Sequence, residues 1–188
     1  MLKIALTGNI ASGKSIVLDE FKSLNLKTLC LDGVVHTIYD KNDDFKDKIL
    51  DLFNTTKRSE ISKIVFSDKS KLNELENLIY PFVIDEMNKF FNINSSEKII
   101  IVDVPMLFEA GFDKYFDKII FVSSKEDLRL QRLIKRNDLS ESEAKIRINS
   151  QEKEDKKLPL SDYIIFNNSD LSHIKFDCKK IIEDLMSL

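Results

Sequence analysis

The chain has 188 residues, 43% of them hydrophobic, with 29 basic and 32 acidic side chains and a formal net charge of −3. That is the size of one domain with a sizeable core and a small helical elaboration, and the charge excludes a general electrostatic affinity for nucleic acid. Cys30, Cys178, His36 and His173 have neither metal-cluster nor disulfide-framework spacing. With no signal-peptide pattern and no apolar run of transmembrane length, the expectation is a cytoplasmic protein without a membrane, nucleic-acid or obligate protein partner.

The first element is LKIALT, residues 2–7, a short apolar run that predicts a buried strand. GNIASGKS follows at 8–15, and KSIVLDEFKSL then places Ile16, Val17, Leu18, Phe21 and Leu24 at helical spacing. A strand, a glycine-bearing turn and a helix start fit G-x-x-x-x-G-K-[ST], the phosphate-binding P-loop. Gly8 and Gly13 allow backbone angles that a side chain would forbid. Successive N–H groups of Asn9, Ile10, Ala11 and Ser12 can then curl around phosphate oxygens, helped by the helix N-terminus. Lys14 reaches the β- and γ-phosphates of ATP, the Ser15 hydroxyl is placed for Mg²⁺, and Ile16 lies just beyond. A dinucleotide-binding G-x-G-x-x-G is excluded, because no two glycines are separated by one residue.

Further strands are predicted at 27–31, 99–104, 118–122 and 163–166, with helical patterns around 70–92, 125–136, 140–156 and 170–186. Alternating strands and helices imply a five-stranded parallel sheet covered on both faces, an α/β fold of P-loop type. The span 33–97 is too long for a simple crossover and predicts several helices beside the core. In such a sheet, ligands bind beyond the carboxyl ends of the strands, which draws attention to Asp32, Asp103, Pro105 and Glu109. A helix N-cap is the plain alternative for Asp32. Asp103 has two readings, a water-mediated part in the Mg²⁺ shell or a cap on the turn before Pro105.

The chain carries 24 lysines but five arginines, four of them between 129 and 147. Arg129, Arg132 and Arg136, at i, i+3 and i+7, share one helical face. Asn137 and Asp138 break the pattern, and Ser140 with Glu143 has the form of a capping box. The pattern describes a helical lid, about 129–155, that brings guanidinium groups to a triphosphate. The alternative is a solvated face in which Glu126, Asp127, Glu141 and Glu143 pair with these arginines. The signals of a GTPase are missing: no D-x-x-G follows the third strand, and Asn88-Lys89 continues into Phe90-Phe91 without a base-reading Asp. A small-molecule kinase fits the size, the inserted helices and the lid.

The sequence resembles the dephospho-CoA kinases over nearly its whole length. The resemblance runs through ALTGNIASGKS (5–15), CLDGVVH (30–36), LENLIYPFV (75–83), VDVPMLFEAGFD (102–113), QRLIKRNDLSESEAKIRINSQ (131–151) and SDYIIFNNSD (161–170). It implies ATP-dependent phosphorylation of the ribose 3′-hydroxyl of dephospho-CoA, with a helical substrate region at about 33–97. It implies that Asp32 is the general base, that Arg136 and Arg147 come from the lid, and that Asn167 lies near the adenine of ATP. His36, Pro105, Leu107 and Glu109 fall in segments where the resemblance implies substrate contacts. The sequence departs from the family at Asn9 and Ala11, where glycine is usual, at Cys30, where an acid D-x-D pair begins, at His36, often arginine, and at Tyr80, often histidine. A nucleotide-binding module without phosphoryl transfer, or a kinase for a related nucleotide, is the alternative that Cys30 keeps open.

Overall fold

The computed structural model describes residues 1–168 and 171–187 and, Phe66 apart, their side chains. Ser169 and Asp170, the end of the segment SDYIIFNNSD, lie outside the described residues. The chain divides into two compact units, one formed by 1–30 with 94–188 and the other by Leu31–Ile93.

The first unit holds the sheet. Strands β1 (Leu2–Thr7), β2 (Lys27–Cys30), β3 (Ile99–Asp103), β4 (Lys118–Ser123) and β5 (Tyr163–Phe166) run in the order β2-β3-β1-β4-β5, and every pairing is parallel. The central strands are continuous apolar runs because both of their faces are covered. Every side chain of β3 is buried. Helix α1 (Lys14–Ser23) sets Val17, Leu18 and Phe21 into a core with Ile4, Leu6, Ile101, Ile120 and Val122. The C-terminal helix Leu171–Met186 joins the same core through Ile174, Cys178, Ile181 and Leu185. There burial pushes the Cys178 thiol up to about 12, so it remains a packing group.

The register brings the carboxyl ends of the strands together. Cys30 pairs with Asp103, Leu6 with Asp103, and Thr7 with Phe121. The chain order reverses around β1, the position at which open parallel sheets bind ligands. The P-loop follows β1 at that edge.

The second unit is helical: α2 (Leu31–Lys41), α3 (Asp43–Phe53), α4 (Arg58–Ser67) and α5 (Lys69–Ile93). This matches the several helices expected for 33–97. Phe45, Ile49, Ile61, Val83 and Met87 are its buried centre, with Phe45 meeting the rings of Tyr39 and Phe82 edge-on at 4.8 and 5.5 Å. Helix α5 runs 25 residues with Pro81 inside it, so the Asn77 carbonyl has no N–H to receive from position 81.

One alternative and one expectation need correction. Helix α2 begins at Leu31 directly after β2, which makes Asp32 its second residue and sets aside the alternative of an N-cap. The segment expected as one helix over 140–156 is two, α7 (Glu141–Asn149) and α8 (Glu154–Lys157), with a break between them.

Candidate active site

The loop after β1 has its shape fixed from below and from both sides. Gly8 sits at φ 153°, and a Cβ there would run into the Val122 carbonyl on β4. Gly13, at φ 95°, is the left-handed residue that opens α1, and a Cβ there would run into the Asn167 side-chain amide. Both glycines are therefore required by close approach as well as by conformation. Ala11 also holds a left-handed conformation, at φ 59°, although it carries a Cβ. Asn9 and Ser12 are buried. Lys14 Nζ donates to the Gly8 carbonyl at 2.9 Å, so its ammonium lies across the loop. Ser15 and Ile16 are exposed on the first turn of α1.

Four sequence-distant side chains brace this loop. Arg132, on α6 (Glu126–Asn137), donates from Nη1 to the Ala11 and Ser12 carbonyls, both at 3.4 Å, and to Ser124 Oγ at 3.0 Å. Its Nη2 donates to the Asn167 carbonyl at 3.0 Å and to Asn167 Oδ1 at 3.3 Å. Asn167 is buried and donates from Nδ2 to the Ser12 carbonyl at 2.8 Å. Gln151 Oε1 accepts the Ile10 N–H at 2.6 Å, and Asn9 Nδ2 donates to the Glu152 carbonyl at 3.2 Å. Lys157, buried, donates to Asn9 Oδ1 at 3.1 Å and forms a short ion pair with Glu109. These contacts hold the Ser12 carbonyl outward. The Gly13 N–H shares that planar trans peptide, so it points the opposite way. An inward-facing N–H beside an uncapped helix start is what a phosphate oxygen requires.

The arginine-bearing helices divide their guanidinium groups by role. Arg129 is buried, with Glu126 the nearest acid at 3.9 Å, so the solvated-face alternative does not describe it. Arg132 grips the loop. Arg136 is exposed, and its Nε donates to the neighbouring Asn137 Oδ1 at 3.0 Å. Arg147 is exposed on α7. The expected capping box is present: Ser140 accepts the Glu143 N–H and gives its own N–H to the Glu143 carboxylate. Those hydrogen bonds from the Ser140 hydroxyl and N–H hold the Glu143 carboxyl below its usual range. Between α6 and α7, Leu133, Ala144 and Ile148 form a small core against which Ile10 and Ala11 of the loop also pack.

The remaining candidates lie as follows. Asp103 ends β3, is buried, and accepts from Cys30 Sγ at 3.7 Å. Pro105 is half-buried, whereas Leu107 is fully buried and serves packing. Glu109 is engaged by Lys157. Asp32 and His36, in the helical unit, are exposed on α2. Asn167, expected near the adenine of ATP, has its side chain against the back of the loop. Sequence reasoning did not assign Arg132, Gln151 or Lys157 to the site. For Arg132 the i, i+3, i+7 arginine spacing was the available signal; for the other two there was none short of the fold.

A glycine-bearing loop between a central strand and a helix, on an all-parallel sheet, with its carbonyls tied back and a lysine laid across it, defines a P-loop nucleotide-binding protein. The dephospho-CoA kinase family model matches residues 2–173, and the chain belongs to that family. The chain is 36% identical to a dephospho-CoA kinase of Fusobacterium nucleatum, over 91% of this chain and 92% of the relative. It is 31% identical to one from Bacillus cereus, over 96% of each chain. Among solved structures, the dephospho-CoA kinase from Campylobacter jejuni superposes with a TM-score of 0.71 at 28% identity, covering 97% of this chain and 96% of that one. A shikimate kinase from Acinetobacter baumannii, at 17% identity and a TM-score of 0.54 over 100% of this chain and 94% of that one, shares the fold alone.

Proposed function

We infer that the protein transfers the γ-phosphoryl group of ATP to the ribose 3′-hydroxyl of dephospho-CoA, giving coenzyme A and ADP. The observation that carries this reading is the braced P-loop, in a chain that belongs to the dephospho-CoA kinases over residues 2–173. Phosphoryl transfer asks a protein chiefly for positioning and charge stabilisation. The loop amides and Lys14 supply both for the ATP phosphates. Ser15, a hard-oxygen donor exposed beside Lys14, fits Mg²⁺, which when bound supplies charge neutralisation at the β- and γ-phosphates.

Asp32 accepts the proton of the attacking hydroxyl. Its carboxylate is exposed in the first turn of α2. Arg136 and Arg147 are the guanidinium groups on the α6–α7 hairpin that remain open to solvent, and they serve the transferring phosphoryl when the lid, about 129–155, covers the nucleotide. His36, Pro105 and Glu109 belong to the acceptor side. No helix among the described residues is long and apolar enough to cross a membrane, and the reaction is assigned to the cytoplasm.

The test is product formation. Purified protein with ATP, Mg²⁺ and dephospho-CoA should release ADP and yield an acceptor heavier by one phosphate, located on the 3′-oxygen by phosphorus NMR. ADP release that does not depend on dephospho-CoA, or that depends equally on adenosine, would overturn the reading.

A further inference from the structure

The helical unit contains one arginine, Arg58, the first residue of α4. Its Nη1 donates to His36 Nδ1 on α2, and its guanidinium carbon stands 5.0 Å from the centre of the Tyr39 ring. Arginine is always protonated and can only donate, so His36 Nδ1 is the acceptor and its proton resides on Nε2. That nitrogen faces Asp40 Oδ2 at 3.6 Å. A carboxylate, an imidazole and an aromatic face thus orient one guanidinium, while no described carboxylate forms an ion pair with Arg58 itself. A planar cation held at one edge and one face keeps its other N–H groups for an anion. Burial raises the Tyr39 hydroxyl above its usual value, and the charge of Arg58 works against that rise.

Arg58 and Tyr39 also line a cavity of about 290 Å³. Its walls are the apolar side chains of Val35, Ile61, Leu75 and Ile79, and its polar groups include Ser62 and Glu76. The volume is near the lower limit for small-molecule sites, about 300 Å³, which suits one arm of a ligand and not a whole nucleotide. Dephospho-CoA has such an arm: a diphosphate followed by an extended chain with apolar segments and amide groups. The chemistries match in order, with a guanidinium for phosphate, aliphatic walls for the chain, and a hydroxyl and carboxylate for its amides.

We propose that Arg58 receives the diphosphate of the acceptor and that the adjoining cavity takes its pantetheine arm, with His36 acting as a positioning residue for Arg58. This rests on the reading of the protein as a dephospho-CoA kinase and names the part of the chain that selects the acceptor. The experiment uses the full chain and titration calorimetry without ATP. Arg58→Ala should weaken dephospho-CoA binding about tenfold or more, the loss typical of a charged hydrogen bond. Arg58→Lys should recover part of it. Ser62→Phe, which fills the cavity while leaving Arg58, should weaken dephospho-CoA to a similar extent. The affinity for ATP should remain within twofold in all three. Phosphopantetheine should compete with dephospho-CoA, but not with ATP, on the wild-type protein, and should lose that competition in Arg58→Ala and Ser62→Phe. Circular dichroism establishes that each variant is folded. Wild-type dephospho-CoA affinity in folded Arg58→Ala, or no competition by phosphopantetheine, overturns the assignment. Failure of the wild-type protein to phosphorylate dephospho-CoA overturns the underlying reading instead.

Discussion

The phosphate loop and the helical unit hold their polar groups in different ways. Around the loop, partners come from 120 to 155 residues away: Arg132 on α6, Gln151 after α7, and Asn167 after β5. Much of that network is buried or half-buried, where hydrogen bonds are strong and an unmet partner is costly. In the helical unit, Asp32 and His36 are exposed, and the His36–Asp40 contact spans a single helical turn. Triphosphate is the same in every kinase, so a rigid, prepaid geometry suits it. On the proposal that the helical unit meets the acceptor, local substitutions among its exposed side chains can alter selection and leave the loop intact. The departures from the family fall in both regions, Asn9 and Ala11 in the loop and His36 and Tyr80 in the helical unit, with Cys30 at the end of β2, while Lys14 and Ser15 keep the P-loop pattern.

The largest effect should come from removing the charge in the loop. Lys14→Ala should abolish ADP formation, because the ammonium that meets the β- and γ-phosphates is lost. Lys14 opens α1 and its Nζ donates to the Gly8 carbonyl of the preceding loop, away from the core, so circular dichroism should be unchanged. Wild-type turnover in the folded variant would remove the P-loop from the chemistry.

Asp32→Asn should lower kcat by about a hundredfold or more if the carboxylate is the base. The change preserves shape, and the exposed position means that melting temperature should hardly move. Single-turnover transfer from labelled ATP at saturating dephospho-CoA is the measurement. A rate within about threefold of wild type would leave Asp32 with only a helix-terminal role. Cys30 matters here. It lies beside Asp103 and donates to it, where an aspartate would set two carboxylates side by side. The thiol avoids that repulsion.

Arg132 and Arg136, one helical turn apart, set bracing against the proposed chemistry. Arg132→Lys should lower melting temperature, because an ammonium cannot serve both the Ser12 and Asn167 carbonyls with a fixed fork. A loss of about 1–3 kcal/mol is expected for breaking such a network. Arg136→Lys should leave melting unchanged and lower kcat about tenfold, with little change in ATP affinity. Equal effects in the two variants would erase the distinction between them.

The sequence announced the loop because glycine, lysine and serine at fixed spacing have few other uses, and it announced the strands because a parallel sheet buried on both faces needs unbroken apolar runs. The Ser140–Glu143 box was readable because both of its partners are local. The break between α7 and α8 was not. Residues 150–153 contain neither glycine nor proline, so local propensity favours a continuous helix. Tertiary bonds decide otherwise: the Gln151 side-chain oxygen accepts the Ile10 N–H, and the Glu152 carbonyl accepts from Asn9 Nδ2. Leu107 was unreadable for a similar reason. Its segment resembles a substrate-contacting stretch, yet its side chain turns into the core. The N-cap alternative for Asp32 does not hold because β2 passes into α2 with no intervening loop residue.

Ala11 tests how finely the loop's geometry is balanced. At φ 59° an alanine carries a left-handed conformation that costs about 1–2 kcal/mol for a residue with a Cβ. Glycine would relieve that cost. It would also lose more conformational freedom on folding, worth about 0.5–1 kcal/mol, and would forfeit the methyl contact with the small core under α6 and α7. The terms oppose one another and are of similar size, so Ala11→Gly should shift the melting temperature by no more than about 3 °C. Valine has no such balance. A β-branched side chain is a genuine outlier at this φ, and Ala11→Val should lower the melting temperature by roughly 4–8 °C, the equivalent of about 2 kcal/mol at this size. Differential scanning calorimetry of the pair decides the point. A valine variant as stable as wild type would mean that the left-handed turn at Ala11 is not held in solution, and that the brace from Arg132 and Gln151 does not fix the loop it touches.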